Sequence, residues 1–596
     1  MPRYAYIRKF RKTKQKIKKI DFYSFDIETY GDDNKFYFAT IYNGQEYLEF
    51  TKPEYFMKEL MKKRYKGAHF VATNLQFDFF GIFEDTKGFK CIWRGSHLIS
   101  VKTWVYQGKF YNYNVSKSAY PITFIDTLNY ASMSLARLGK IIGCEKMKKP
   151  AYLGDRMPQT PDEWDYLIEY NKQDSYVTYE FIRLFYDTII KLGGDFKLTI
   201  ASTSMRLFTN KYLKEFVHIQ KPKTILMEQF KAYYGGRTEV FKRGEFKNLK
   251  YYDVNSLYPA MMEKNEFPDP NTLRVVKTGR ISTLYKYQGI SEVTVSISKD
   301  CNIPLLPFRD GKGKLLFPTG RFRGWYTHAE LTKAIDVGYK IHCIHKTHLY
   351  VKSMRPFKGF VNDLYNMRLK YKKIKSPMEL ICKLILNSHY GKYAQRFDDY
   401  MEWEHIDNIK ADELPTDEVP EFSHDMKYVR IKRKQEPPSF SIPIWSIYVT
   451  AFARLHLFEY LQEHDPVYCD TDSIITRSEI PTSKALGDLK LECNIKKAIF
   501  IKPKMYMITT EHTEYSRIKG VSKAFDFQGF KNSMQGGTFN AEYTQFIKFR
   551  SAIRRKLKVN SKIKISKILD LNDSKRRWDN PFSLEISNSK PIYITT

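Results

Sequence analysis

Cysteine is scarce in this sequence. There are seven in 596 residues, scattered without any C-x-x-C spacing. That argues against a structural zinc site and against a disulfide framework, and it fits a reducing cytoplasm. No apolar run is long enough to span a membrane, so no membrane association is expected. The first twenty residues, "MPRYAYIRKFRKTKQKIKKI", are basic but lack the apolar stretch of a signal peptide. Internal repeats and long low-complexity linkers are missing too, which argues against a repeat array. Acids are the minority charge, 66 against 99 lysines and arginines, leaving a net charge of +33.

That excess of positive charge is the first positive signal. A protein this basic usually meets a polyanion, and nucleic acid is the commonest one. Aromatic residues make up 16% of the chain, with 44 Tyr and 42 Phe. Rings interleaved with lysine and arginine suit base stacking beside phosphate contacts. A tyrosine-rich core under a lysine-rich surface, produced by biased codon usage, accounts for the same composition. At this length the chain forms more than one domain.

Periodicity organises the chain coarsely. The part up to about Gly194 mixes short strands with helices. Within it, "PDEWDYLIEYNKQDSYVTYEFIRLFYDTIIKLGG" predicts a long helix that ends at a glycine pair. From about Pro268 to Phe357 short strands and turns dominate. "GFVNDLYNMRLKYKKIKSPMELICKLILNSHYGKYAQ" predicts two helices broken near Ser376 and Pro377. The stretch 398–421 is acidic and is expected as a solvated loop, or one facing a basic surface. The stretch from Lys548 to Arg577 is basic, with helix-like segments.

Carboxylates in apolar surroundings carry the chemistry. In "VYCDTDSII", Asp470 and Asp472 interrupt two apolar strands where a turn would more usually carry Gly or Asn. Acids beside a core are costly unless paired, and a divalent cation between them and a third carboxylate would pair them. "KYYDVNSLYPAMM" offers that carboxylate. Tyr251 and Asp253 share one strand face, and Tyr252 and Val254 the other. In "KLILNSHYGKYA", Lys383, Asn387, Tyr390 and Gly391 fall on one helix face, which suits a nucleoside triphosphate. Taken singly, the acids also read as turn residues and the lysine as solvated.

A second acid set lies near the start. Asp26 and Glu28 in "FYSFDIETYG" share a strand face, while Phe25 and Ile27 share the other. "NLQFDFF" supplies Asp78, four residues after Asn74, and "YNKQD" supplies Tyr170 and Asp174, one helical turn apart. Four acids from three segments suit two metal ions and an activated water.

Together these segments resemble family B DNA polymerases. "DVNSLYP" is similar to motif A, "KLILNSHYG" to motif B and "YCDTDS" to motif C, in the family's order, and "KPKMY" resembles the following K-x-Y element. The resemblance implies an α/β multidomain fold: an RNase H-like 3′–5′ exonuclease domain, then a right-hand polymerase of palm, fingers and thumb with two insertions. It implies that Asp253 and Asp472, with Val254, hold two Mg²⁺ ions (Mn²⁺ able to substitute), with Asp470 in support. Val254, Tyr258, Lys383, Asn387 and Tyr390 would contact the nucleotide, with Tyr258 excluding a ribose 2′-hydroxyl. Lys504 and Tyr506 would hold the primer end. The N-terminal acids resemble proofreading exonuclease motifs. By that likeness Asp26, Glu28, Asp78 and Asp174 are metal ligands, Tyr170 orients the water and Asn74 holds the single-stranded end.

Three features resemble the protein-primed branch of the family, the phage phi-twenty-nine type. The exonuclease begins almost at once. "YYGG" matches a Y-x-G-G element, here Tyr233, Gly235 and Gly236, that contacts template. The spans between motifs leave room for two insertions. "DTLNYASMSLARLGK" resembles a segment contacting primer DNA and terminal protein, with Thr127, Leu128 and Lys140 at the matching positions. Expected domains are exonuclease 1–195, palm 196–267 and 437–537, insertions 268–358 and 398–436, fingers 359–397 and thumb 538–596. Expected partners are primer-template DNA, dNTPs and a terminal protein, for a monomer working in the host cytoplasm if viral. A nucleic-acid-primed family B polymerase and a non-catalytic DNA-binding scaffold are the alternatives. The basic start of the chain is expected as a disordered arm drawn to DNA.

Overall fold

A computed structural model describes residues 7–220, 223–409 and 420–595. Two eight-stranded sheets organise the chain. The first runs in the order Tyr47–Phe50, Lys35–Tyr42, Phe22–Tyr30, His69–Ala72, Tyr120–Asp126, His97–Tyr106 and Lys90–Arg94, with Lys109–Tyr111 beside His97–Tyr106. Phe22–Tyr30 and Tyr120–Asp126 both run parallel to His69–Ala72 between them, and the remaining pairs are antiparallel. Strand alternation divides its side chains between two cores. Phe25, Ile27, Phe70 and Phe124 pack with Phe79 of the helix Leu75–Ile82. Phe22, Val71 and Ile125 pack under Phe181, Ile182 and Phe185 of the helix Pro161–Leu192. Thr160 caps that helix, and left-handed Gly193 ends it where the glycine pair was read.

The second sheet is antiparallel, in the order Thr238–Val240, Pro466–Asp470, Ser473–Thr476, Lys242–Val254, Leu489–Lys502, Met505–Thr509 and Glu514–Ile518. The helix Pro443–Glu463 is apolar nearly all round and packs Ala453, Leu457 and Leu461 against Tyr252, Val254 and Ile474. Tyr251 belongs to the opposite core with Tyr468 and Ile475. A one-residue slip of this strand would carry Asp253 into the helix-side core, so burial itself sets the register.

Between the strand ending at Val254 and the two helices Lys358–Lys373 and Met378–His389 stands a five-stranded sheet. Its order is Leu273–Val276, Lys340–Tyr350, Gln288–Ile297, Thr319–Thr327 and Tyr593–Thr595. Its last strand comes from the stretch expected as the 538–596 unit. The hairpin Thr538–Phe546 with Lys562–Asp570 stands apart, whereas Ser587–Asn588 pairs with Lys242 and Arg243 and Tyr593–Thr595 joins the insertion sheet. The helix-like reading of 548–577 also yields: only Phe549–Arg555 is helical, and alternating burial makes Lys562–Asp570 a strand.

The hairpin's tip closes the molecule on itself. Phe549 stacks on Phe80 and Trp93, with ring centroids at 5.2 and 4.8 Å. It also meets the edge of Tyr428 from the second insertion, and the Asn560 side-chain amide donates to the Phe77 carbonyl at 2.9 Å. The described part of the acidic stretch is not a solvated loop. Tyr400–His405 pairs with Tyr428–Arg433, Glu402 and Glu404 both meet Arg433, and Trp403 is buried. Residues 410–419 of that stretch lie outside the described residues.

The basic start is corrected as well, beyond residues 1–6, which are not described. Ile7–Phe10 pairs with Val217–Gln220, and the segment after it is tied to the body by side-chain and backbone hydrogen bonds from Thr13, Gln15 and Lys16. Among the described residues no helix is long and apolar enough to cross a membrane.

Candidate polymerase and exonuclease sites

The turn between Asp470 and Asp472 answers why no glycine stands there. Thr471 is left-handed at φ +65°, a strained conformation for a β-branched residue. Its N–H donates to the Arg237 carbonyl at 2.7 Å, and the Asp472 N–H donates to the Asp470 carbonyl at 2.7 Å. A Cβ on Gly236 would come within 2.7 Å of the Thr471 methyl group. The turn is therefore moulded against the backbone of the Y-x-G-G element, and the glycine belongs to the neighbour. That element is held by arginines: Arg454 donates to the Tyr234 carbonyl at 2.7 Å and Arg309 to the Tyr233 carbonyl at 2.6 Å. Arg454 is itself paired at 2.6 Å with Glu330 of the insertion, both fully buried.

Asp253 and Asp472 are brought together. The Val254 N–H donates to the Asp472 carbonyl at 2.7 Å, locking the two strands, and Asp253 lies across from Ser473 on one side and Lys490 on the other. Both acids line a cavity of about 320 Å³ with Val254, Tyr258, Lys383, Asn387 and Tyr390. Lys383 and Asn387 point outward from Met378–His389, while Tyr390 begins a tighter 3₁₀ stretch, so the α-helix ends before the predicted face does. Tyr258 and Tyr390 stack at 4.3 Å. Asp470 does not line the cavity. It accepts from Thr238 Oγ1 at 2.8 Å and pairs with Lys504 Nζ at 2.9 Å. Tyr506 is buried against Tyr468.

Two cations of the cavity lining escaped the sequence reading. Arg368 donates to Ser256 Oγ at 2.9 Å, and Lys490 approaches Asp253 at 3.3 Å. Nothing distinguishes either from surface cations along the chain; only the helix pairing and the strand register bring them here.

Burial pushes the Asp472 carboxyl up to about 7, and the charge of Asp253 adds to this. Burial raises Asp253 too, with Lys490 opposing. Burial and then Arg368 lower Lys383. Burial thus raises both carboxyls even with Lys490 beside them. The cavity's two carboxylates supply hard oxygens of the kind Mg²⁺ takes, a shell that substrate phosphates can complete. Among the described residues no three side chains already form a closed metal cage. The sign of the pH effect follows. An unfolded carboxylate titrates near ~4, so between that value and about 7 the folded protein keeps a proton at Asp472 that the unfolded chain has lost. Stability should therefore fall as pH rises through this window in chelator. Melting temperatures from pH 4 to 8 should show the fall, and Asp472→Asn should make it shallower, with the other raised carboxyls supplying the remainder; an unchanged slope in the variant would remove Asp472 as a contributor.

The second constellation gathers at the long helix. Asn171 donates to Asp26 Oδ2 at 2.9 Å and to Glu28 Oε1 at 3.2 Å, and its own oxygen accepts from Thr40. Lys146 pairs with Asp174 and sits 4.5 Å from the Tyr170 ring centre. Burial raises Asp26, Glu28 and Asp78; the charge of Asp174 adds to the first two and that of Asp126 to the third, while the Asn171 amide opposes the rise at Glu28. Asp174 Oδ1 is buried with no partner. An orphaned carboxylate oxygen near further acids is the kind of donor a divalent cation takes, though among the described residues the four acids do not form a ready metal-binding group. Lys146 and Asn171 were missed, because "EKMKK" reads as surface and a helical asparagine carries no signal.

Asp126 has a structural role, accepting from the N–H groups of Asn74, Leu75 and Leu128. Asn74 is exposed and left-handed at φ +71°. Thr127 is buried with its hydroxyl on Thr73, Leu128 is half-buried and Lys140 is exposed.

A multidomain α/β fold, with a mixed eight-stranded sheet followed by an antiparallel one that carries the paired acids, is the class that this chain's architecture defines. The chain belongs to the family described as DNA polymerase type B, organellar and viral, whose model matches residues 86–474. The likeness to the phi-twenty-nine-type branch is borne out in the fold. Phi29 DNA polymerase complexed with primer-template DNA and incoming nucleotides superposes with a TM-score of 0.71 at 18% identity, covering 92% of this chain and 100% of that one. The probable DNA polymerase of Podospora anserina is 27% identical over 558 residues, 81% of this chain and 45% of its own length. The polymerase of Enterobacteria phage PRD1 is 29% identical over 351 residues, 57% of this chain and 59% of its own. The chain thus spans under half the length of that fungal relative.

Proposed function

We propose that this chain is a DNA-directed DNA polymerase with a 3′–5′ proofreading exonuclease, extending primer-template DNA from dNTPs. The observation that carries the reading is the single cavity joining Asp253 and Asp472 to Lys383, Asn387, Tyr390 and Tyr258. In this reading Lys383 and Arg368 would face the triphosphate, and the Tyr258–Tyr390 stack would wall the sugar and exclude a 2′-hydroxyl. Lys504, anchored by Asp470, meets the primer backbone. Asp253, the Val254 carbonyl and Asp472 would hold two Mg²⁺ ions, for which Mn²⁺ can stand in. When bound, these lower the pKa of the primer 3′-hydroxyl and neutralise the triphosphate. In the exonuclease, Asp26, Glu28, Asp78 and Asp174 are the matching ligands, Tyr170 with Lys146 orients the attacking water, and Asn74 meets the frayed end.

Priming on a terminal protein and unaided strand displacement complete the proposal. The two insertions, 268–358 and 398–436, flank the palm where a protein primer would dock. Incubating the chain with Mg²⁺, labelled dNTPs and candidate primer proteins from the same genome should yield a nucleotide covalently linked to a protein hydroxyl. A primed single-stranded minicircle should yield products many circle lengths long. Products stopping at one circle, with no protein-linked nucleotide, would instead support a nucleic-acid-primed polymerase. No metal-dependent synthesis at all would leave a DNA-binding scaffold.

A further inference from the structure

The segment Lys12–Lys16 presents two sides, and Ile17 and Lys18 after it are exposed. Thr13 Oγ1 donates to Asn210 at 2.6 Å, Gln15 Nε2 donates to the carbonyls of Ile190 and Gly194 at 3.0 Å, and the Lys16 N–H donates to Asp195 at 2.8 Å. Thr13 and Gln15 thus hold the body, while the side chains of Lys12, Lys14, Lys16 and Lys18 are all exposed. Asp195, the acid beneath them, is already paired with Arg206 at 2.6 Å.

The line of lysines leads into a cavity of about 360 Å³ on the open face of the exonuclease sheet, where Lys18 meets Lys90, Lys102 and Trp104. Strand register sets Lys90 beside Lys102, Lys102 beside Thr123 and Thr123 beside His69, one row across four strands. The Lys102 ammonium lies 4.4 Å from the Trp104 ring centre, and Ile92 and Leu198 add apolar floor. No carboxylate lines the cavity, and none of these six lysines makes an ion pair among the described residues. Like charges held together without acids cost stability, so a feature this concentrated points to an anion.

We propose that this strip is a docking track for the unpaired template strand. Four lysines within seven residues can meet several phosphates of a single strand, and a half-buried tryptophan beside lysines offers a base its π-face. An acidic protein would not need that ring. The track is separate from the exonuclease cleft. His69 pairs with Phe22, four residues before Asp26 on the same strand, so it lies towards the other end of the sheet from the acids. Of the unpaired strands, only the template is present throughout synthesis on any substrate. The proposal rests on family membership and not on protein priming.

The test compares the full chain with a Lys12→Ser, Lys14→Ser, Lys16→Ser, Lys18→Ser variant and with a Lys102→Ser, Trp104→Ala variant. Binding is measured across salt to recessed duplexes whose template overhang is either a few nucleotides or several tens long. Each variant should bind the long overhang about tenfold more weakly, and the salt slope should become shallower by roughly 0.7 for each phosphate no longer neutralised. Affinity for the short overhang, extension on it and the melting temperature should all stay unchanged. Equal loss on both substrates, or no loss on either, overturns the track. A loss confined to substrates carrying a displaced strand overturns the template assignment. Absence of extension by the unmodified chain would count against the polymerase reading and not against the track.

Discussion

Asp472→Asn is expected to abolish primer extension, lowering the rate by on the order of a thousandfold or more, while the protein remains folded. The physical reason is the position of the group. Asp472 and Asp253 line one end of the cavity, with the cations Arg368 and Lys383 along the rest of it. Removing one carboxylate takes away half of the pair that can draw divalent cations to the reacting phosphate. The same change relieves a repulsion, since Asp472 is pushed up to about 7 by burial and by Asp253. The melting temperature in chelator at neutral pH should therefore hold or rise. Asp253→Asn should behave likewise. Extension at the normal rate by either variant, with the fold intact, would sink the assignment of this cavity.

Loss of 3′-end degradation is the second large effect. Asp26→Ala should lower exonuclease activity by a similar factor while leaving extension of a matched primer at its normal rate, because the two acid sets sit on different sheets. Asp174→Ala should do the same at a further cost. It strips Lys146 of its partner, and leaving a largely buried charge unpaired typically costs ~3 kcal/mol. The Asp174 variant should thus melt lower than the Asp26 variant, and adding Lys146→Met should recover part of the difference. If single-stranded 3′ ends are still trimmed at the wild-type rate by both variants, the nuclease lies elsewhere or is absent. Comparing misincorporation in the Asp26 variant with wild type then measures how much the exonuclease contributes to accuracy.

Much of the local structure was legible because it is set by short-range periodicity. The long helix ending at Gly193, the break between Lys358–Lys373 and Met378–His389, and the alternation that buries Tyr252 and Val254 while turning Asp253 away all follow from spacing. The C-terminal stretch was misread for the same reason. In Lys562–Asp570 a strand alternates lysine with isoleucine, and a short window of basic and apolar residues does not separate period two from period 3.6. The basic start was misread because lysine density suggests disorder, whereas the anchors are Thr13 and Gln15, neutral residues without a pattern.

By itself the sequence determined which residues bear charge in apolar surroundings, and in what order along the chain. That sufficed for Asp253, Asp472, Asp26, Glu28, Asp78 and Asp174, since an acid next to a core is costly and so needs a reason. Only the tertiary structure decided who stands opposite them. Lys490 reaches Asp253 through strand register, Asn171 reaches Asp26 and Glu28 from a helix laid across their sheet, and Gly236 accommodates Thr471 across the gap between two segments. Such partners are separated by more than a hundred residues. Polar and cationic side chains cost nothing in solvent, so no local pattern marks the few that folding withdraws from it.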